Sequence, residues 1–154
     1  MLQNKINAGD IRLSAMNLLA LREHSAKELK EKLVRKYGQN EHVETAIAGL
    51  IEEGLQSDER FAEAFIRMRQ RQGKGSVLIK MELRERGVPS SLLDILINEQ
   101  DDIWPKLAKE VRHKRFHQLP ADGREKARQM RFLHSRGFAS CHIQAAFTDV
   151  LDGE

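Results

Sequence analysis

Leu83-Arg84-Glu85-Arg86-Gly87-Val88-Pro89-Ser90 is followed fifty residues later by Leu133-His134-Ser135-Arg136-Gly137-Phe138-Ala139-Ser140. Both stretches read leucine, two variable residues, Arg-Gly, an apolar residue, one variable residue, serine. Working outward at the same interval, Leu33, Leu83 and Leu133 share a column, as do Val43, Leu93 and Ile143. Ala46, Leu96 and Ala146 form a third column, and Ile47, Ile97 and Phe147 a fourth. The earliest copy, Leu33-Val34-Arg35-Lys36-Tyr37-Gly38, places its glycine one residue later. Ordinary helical periodicity does not fix a fifty-residue interval, so the chain reads as three tandem units.

Each copy is expected to run helix, turn, helix, glycine turn, helix. In the first, Ser14 to about His24 makes one helix and Ser25-Ala26-Lys27-Glu28 is a capping box opening the next. Tyr37-Gly38 closes it, because glycine accepts the left-handed conformation of a helix end. Val43, Ala46, Ile47, Leu50 and Ile51 stripe the third helix. The second copy opens at Ser57-Asp58-Glu59, runs to about Gln72, restarts at Ser76, turns at Gly87 and restarts after Pro89. The third begins near Asp102-Ile103-Trp104-Pro105, caps again at Asp122 and turns at Gly137, and its last helix is expected over Ser140 to Leu151. No sustained alternation signals a strand. The expectation is an all-α chain of three tandem three-helix repeats, elongated and curved, because stacked units share apolar faces with their neighbours. The divisions are a lead-in over 1–13, repeats over 14–56, 57–100 and 101–154, and a polar insertion at 117–121.

The stretch Arg67-Met68-Arg69-Gln70-Arg71-Gln72-Gly73-Lys74-Gly75-Ser76 invites a phosphate-loop reading. That pattern needs glycine six residues before the lysine and a hydroxyl residue directly after it, to cradle phosphate and hold magnesium. Met68 and Gly75 occupy those places, so the stretch is a joint between two helices. Other catalytic patterns are equally poor. His113 and His117 have the spacing of paired metal ligands but sit among Lys114 and Arg115. Cys141-His142 are adjacent, and adjacent helical residues point to different faces. No enzyme, metal or cofactor is expected. The single cysteine, Cys141, excludes an internal disulfide, fits a reducing compartment and is expected to be a small buried side chain. No apolar run approaches the roughly 20 residues of a membrane span, and no secretory pattern opens the chain, so a cytoplasmic monomer is expected.

Charge carries the functional signal. The net charge is only +3, but residues 103–136 hold ten basic residues against three acidic ones, and 67–86 hold seven against two. Arg67, Arg71 and Lys74 are spaced i, i+4, i+7, as are Arg124, Arg128 and Arg131. Lys80 and Arg84 lie opposite the Ile79/Leu83 stripe, and Lys109, Arg112, Lys114 and Arg115 form a denser cluster. Few i+4 carboxylates balance them, which points to an anionic partner, either nucleic acid or an acidic protein groove. The expected partner-binding set is Arg67, Arg71, Lys74, Lys80, Arg84, Lys109, Arg112, Arg115, Arg124, Arg128 and Arg131. Aromatic residues are only 5% of the chain, so stacking platforms for single strands are scarce.

Ser57 to Val88 resembles the central signature of the RecX regulators of the RecA recombinase. Asp58, Arg60-Phe61-Ala62, Phe65, Arg69, Gly73, Gly75, Ile79, Glu82-Leu83 and Gly87 match it position by position. Ser25 to Leu33 resembles the family's first repeat, and Arg131 to Phe138 its third. The resemblance implies binding to RecA and to the RecA–DNA filament, lying in the filament's helical groove. It implies inhibition of filament growth, ATP hydrolysis and strand exchange, which moderates recombination, DNA repair and the SOS response. The competing reading is a direct, non-specific DNA-binding helical repeat protein. A helix-turn-helix reader places base-reading polar residues early in its second helix, and Ser91-Leu92-Leu93-Asp94 and Cys141-His142-Ile143-Gln144 suit that poorly. A weak direct contact with DNA is compatible with either reading.

Overall fold

The computed structural model describes residues 8–148. Among them lie nine helices and no strand: α1 Ala8–Leu21, α2 Ala26–Tyr37, α3 Glu41–Glu52, α4 Asp58–Arg71, α5 Ser76–Glu85, α6 Ser90–Leu96, α7 Ile103–Phe116, α8 Gly123–Ser135 and α9 Ser140–Ala145. The caps foreseen at Ser25 and Asp122 are present. Ser25 Oγ accepts from the Glu28 N–H while the Glu28 carboxylate accepts from the Ser25 N–H, and Asp122 accepts from the Glu125 N–H. Residues 8–13, expected as lead-in, are helical instead, because Ile11 and Ala15 belong to one buried stripe of α1. The last helix stops at Ala145, and 149–151 of its expected span lie outside the described residues.

Three of the four fifty-residue columns are buried core; in the remaining one Ala146 is buried while Ala46 and Leu96 are half-buried. Leu33, Leu83 and Leu133 are each no more than 1% exposed, and Val43, Leu93 and Ile143 match them. Ile47, Ile97 and Phe147 are also buried. Burial of this kind needs an apolar side chain at each equivalent place, which is why the period is visible in sequence. Cys141 departs from expectation: it is exposed, while its neighbour His142 is buried.

The helices divide into two compact units, and the second copy contributes to both. One unit takes the described residues as far as Ala64 together with Leu83–Leu92; the other takes Phe65–Glu82 and Leu93 onward. In the first unit, the apolar centre is Ile11, Ala15, Leu29, Leu33, Val43, Ile47 and Leu50. The start of α2 meets the turn after α5. Lys27 Nζ donates to the Glu85 carbonyl at 2.8 Å, and a Cβ on Gly87 would lie 2.9 Å from Lys27 Cβ. Asp58 Oδ1 accepts from the Ala26 N–H, satisfying one of the orphan donors of a helix N-terminus.

The second unit repeats this contact with backbone alone. The Gly137 carbonyl accepts from the N–H groups of Val77 and Leu78, at 2.9 and 3.3 Å, and the Arg136 carbonyl accepts from Gly75 N–H at 2.9 Å. The first turn of α5 is therefore capped by the turn that ends α8. Both glycines are required sterically. A Cβ on Gly75 would lie 2.5 Å from the Gly137 backbone, and one on Gly137 would lie 2.2 Å from Leu78 Cβ. Gly137 also has φ +91, whereas Gly38 at φ +81 has nothing within 4 Å of its missing Cβ. Gly38→Ala should therefore cost only left-handed strain, about 1–3 kcal/mol. Gly137→Ala should cost distinctly more and shift the urea midpoint further; equal losses would refute the close-approach account.

His24 is 1% exposed at the joint of the first unit. Its Nδ1 faces the Arg22 carbonyl at 3.0 Å and its Nε2 faces Lys32 Nζ at 2.8 Å. The partners dictate a neutral ring: Nδ1–H donates to the carbonyl and Nε2 accepts from the ammonium. Burial first, then the charges of Arg22 and Lys32, push its pKa below the ordinary 6.5, against the Arg22 hydrogen bond and Glu28. The unfolded chain thus takes up the proton first, so stability is complete above 6.5 and falls as pH drops toward the folded value. The unfolding midpoint should fall between about pH 7.5 and about pH 5.5. In His24→Gln, which keeps a donor and an acceptor without titrating, the slope over that interval should flatten.

Candidate functional site

The signature residues of the second copy hold the fold together. Phe61, Phe65, Ile79 and Leu83 are buried. Arg69 donates through Nε and Nη2 to the two oxygens of Glu82, at 2.8 and 2.9 Å, and its guanidinium also lies 5.4 Å from the Phe65 ring centre. This bidentate pair fastens α4 to α5 across the Gly73-Lys74-Gly75 joint. Both side chains are mostly buried, at 23% and 16% exposure. Glu82→Ala should therefore leave a mostly buried guanidinium under-satisfied and cost about 1–3 kcal/mol in urea unfolding.

Tertiary carboxylates claim part of the expected basic set. Lys80 Nζ is 2.5 Å from Glu99, which also accepts from Ser76 Oγ at 2.7 Å. Burial would raise the Glu99 carboxyl, but the Lys80 and Ser76 hydrogen bonds and the charges of Lys80 and His142 outweigh it and hold it below its ordinary value. Lys80 is thus a structural cation. Arg112 is 5% exposed with its guanidinium 5.3 Å from the Phe147 ring centre, so it belongs to the packed interior of the third copy. Lys74 and Lys109 are half-buried. Arg124, Arg128 and Arg131 are exposed on α8, with Arg128 paired to Glu125 at 2.9 Å, and exposed Arg84 belongs to the first unit. The sequence missed these partners because Glu99 and Phe147 come from turns distant along the chain, beyond α6 and α9, and Glu125 from i−3.

What remains gathers on the second unit. On α7, Ile103, Leu107, Val111 and Arg115 form one i, i+4 row, and Lys106, Glu110 and Lys114 form the next. The last two turns of α4 bring Arg67, Gln70 and Arg71 beside them. Gly73 permits the approach: its missing Cβ would lie 3.1 Å from Val111 Cγ2. Two adjoining grooves result. One, of about 620 Å³, is bounded by Arg71, Lys114, Arg115 and Arg136 over Leu107, Val111 and Phe132. The other, of about 400 Å³, is bounded by Arg67, Arg71 and Lys106 over Ile103 and Leu107. Of the expected set, Arg67, Arg71 and Arg115 meet here. Lys106, Lys114 and Arg136 were left out of it, although the 106/110/114 spacing was a usable signal.

Two phenylalanines order the arginines. Phe116 and Phe132 pack edge to face at 5.4 Å. Arg115 lies 5.2 and 5.6 Å from their centres, Arg136 lies 5.2 Å from Phe132, and Arg128 lies 5.0 Å from Phe116. Stacking a guanidinium on a ring restrains a long side chain and leaves its N–H edge outward for an anion. His113 and His117, by contrast, pack edge to face at 6.3 Å, and no cluster among the described residues could hold a metal. No described helix is long and apolar enough to cross a membrane.

Tandem three-helix units define a helical-repeat protein, here with a cationic groove on the second unit. Comparison with known proteins gives the family. The chain matches the first three-helix domain of RecX over residues 12–50, the second over 57–95 and the third over 105–147. It is 42% identical over 137 residues to the regulatory protein RecX of Halorhodospira halophila, covering 88% of this chain and 85% of that one. It is 40% identical over 130 residues to that of Pseudomonas fluorescens, covering 84% of each. The crystal structure of RecX from Lactobacillus salivarius shares the fold with a TM-score of 0.82, at 20% identity over 96% of this chain and 97% of that one. The chain belongs to the RecX family of regulatory proteins.

Proposed function

We propose that this protein binds the RecA recombinase and its filament on DNA and restrains filament growth, ATP hydrolysis and strand exchange. It thereby moderates recombination, DNA repair and the SOS response, as a cytoplasmic monomer with no reaction of its own. Family membership carries the regulatory role, and the unclaimed cations of the second unit support an anionic or acid-rich partner. The proposed contact set is Arg67, Arg71 and Arg115 with Lys106, Lys114 and Arg136, and the exposed α8 arginines beside it.

The same cations favour a second reading, direct binding to DNA, in which Arg and Lys neutralise phosphates. The two readings separate in one experiment. RecA ATP hydrolysis on single-stranded DNA is followed while this protein is added well below the RecA concentration. Inhibition at that ratio, with little binding to naked DNA at the same salt, is expected. Absence of inhibition, with binding to bare DNA that weakens steeply as salt rises, would replace the proposal with the phosphate-binding reading.

A further inference from the structure

We infer that the paired grooves along α4 and α7 take an acidic amphipathic helix of a protein partner, its apolar stripe on the groove floor and its carboxylates on the rim. The inference rests on the reading of this face as the partner-binding surface. An apolar row runs along the grooves: Leu107 and Val111 line it, with Gln70 and Gln72 at its α4 side, and Ile103 is 44% exposed at one end. Arg67, Arg71, Lys106, Lys114 and Arg115 rise around it, against one carboxylate, Glu110. The Ile103/Leu107/Val111 row matches leucine-like anchors set at helical spacing, a complement that phosphates and sugar do not have.

Length and chemistry agree. From Ile103 to Arg115 the α7 row extends about 18 Å at 1.5 Å per residue, which suits an occupant of about three turns. Rim guanidiniums present planar forks that bind carboxylates bidentately. A single nucleic-acid strand would need open aromatic faces on which bases stack. Here Phe116 and Phe132 are packed against each other and flanked by Arg115, Arg128 and Arg136. Charge complementarity and the apolar floor therefore select the acidic helix over the polynucleotide.

The test uses the full chain and a fluorescent helix-forming peptide of about fifteen residues, slightly longer than the groove. Its leucines stand at i, i+4 and i+7 and glutamates occupy the flanking positions. A scrambled peptide of identical composition and an oligothymidylate of equal charge are the comparisons. The patterned peptide should bind at least about tenfold more tightly than the scrambled one, and Arg71→Glu with Arg115→Glu should weaken it by at least about tenfold. Leu107→Gln should reduce the preference for the patterned peptide, and Arg35→Glu, a charge reversal on the first unit, should leave affinity unchanged. Circular dichroism verifies that each variant folds. Equal affinity for both peptides, displacement by less oligothymidylate than peptide, or full binding by the double charge reversal would each overturn the inference. Loss of peptide selectivity with RecA inhibition intact would remove the groove assignment alone. Peptide selectivity without RecA inhibition would remove the RecA reading alone.

Discussion

The carbonyl of Gly137 accepts from the first free N–H groups of α5, and neither end of that contact admits a side chain. Val77 and Leu78 donate to it at 2.9 and 3.3 Å, and any Cβ on Gly75 or Gly137 would collide with the opposing segment. A helix start always leaves N–H groups in need of acceptors. Here a neighbouring repeat supplies them through its own helix-ending turn. The first unit makes the comparable contact with two side chains, Lys27 donating to the Glu85 carbonyl and Asp58 accepting from the Ala26 N–H. The joint of one copy is thus completed by the next copy. That is why the second copy contributes to both compact units.

This arrangement explains which residues make the family's signature readable. Gly73, Gly75, Arg69, Glu82, Ile79, Leu83 and Gly87 all serve joints or core. They determine how copies meet, and none is a rim cation of the groove. The site arises one step later. Once Gly73 lets α7 approach α4, the Arg67/Arg71 row and the Lys106/Lys114 row face a common apolar floor. A change at a joint should therefore disturb binding through geometry, while a change on the rim should disturb it through charge.

Electrostatics sorts the basic residues into two kinds. Lys80 and Arg69 are matched to carboxylates in partly buried settings, where losing a partner is costly. Arg112 is packed against an aromatic ring inside the third copy. Arg115 and Arg136 are stacked on phenylalanine rings at the groove, and Arg67 and Arg71 line its open side. Exposed like charges repel in the free protein, so their concentration on one unit does not stabilise the fold and fits the anionic occupant proposed for the groove.

The sequence by itself determined the helices, their caps, the glycine turns and the buried columns. Each depends on residues close along the chain: Ser25 with Glu28, Asp122 with Glu125, apolar side chains at helical spacing. It also displayed the family signature and the two basic blocks. Only the tertiary structure decided which cations remain available. Glu82 lies thirteen residues from Arg69, and Glu99 is brought to Lys80 from beyond α6. The Arg–Phe stack joins α7 to α8 across the 117–121 insertion, beyond the reach of periodicity. Burial imposes a local demand for apolar residues and so leaves a pattern in the chain. Ion pairing imposes only that opposite charges meet, and which ones meet is settled by packing.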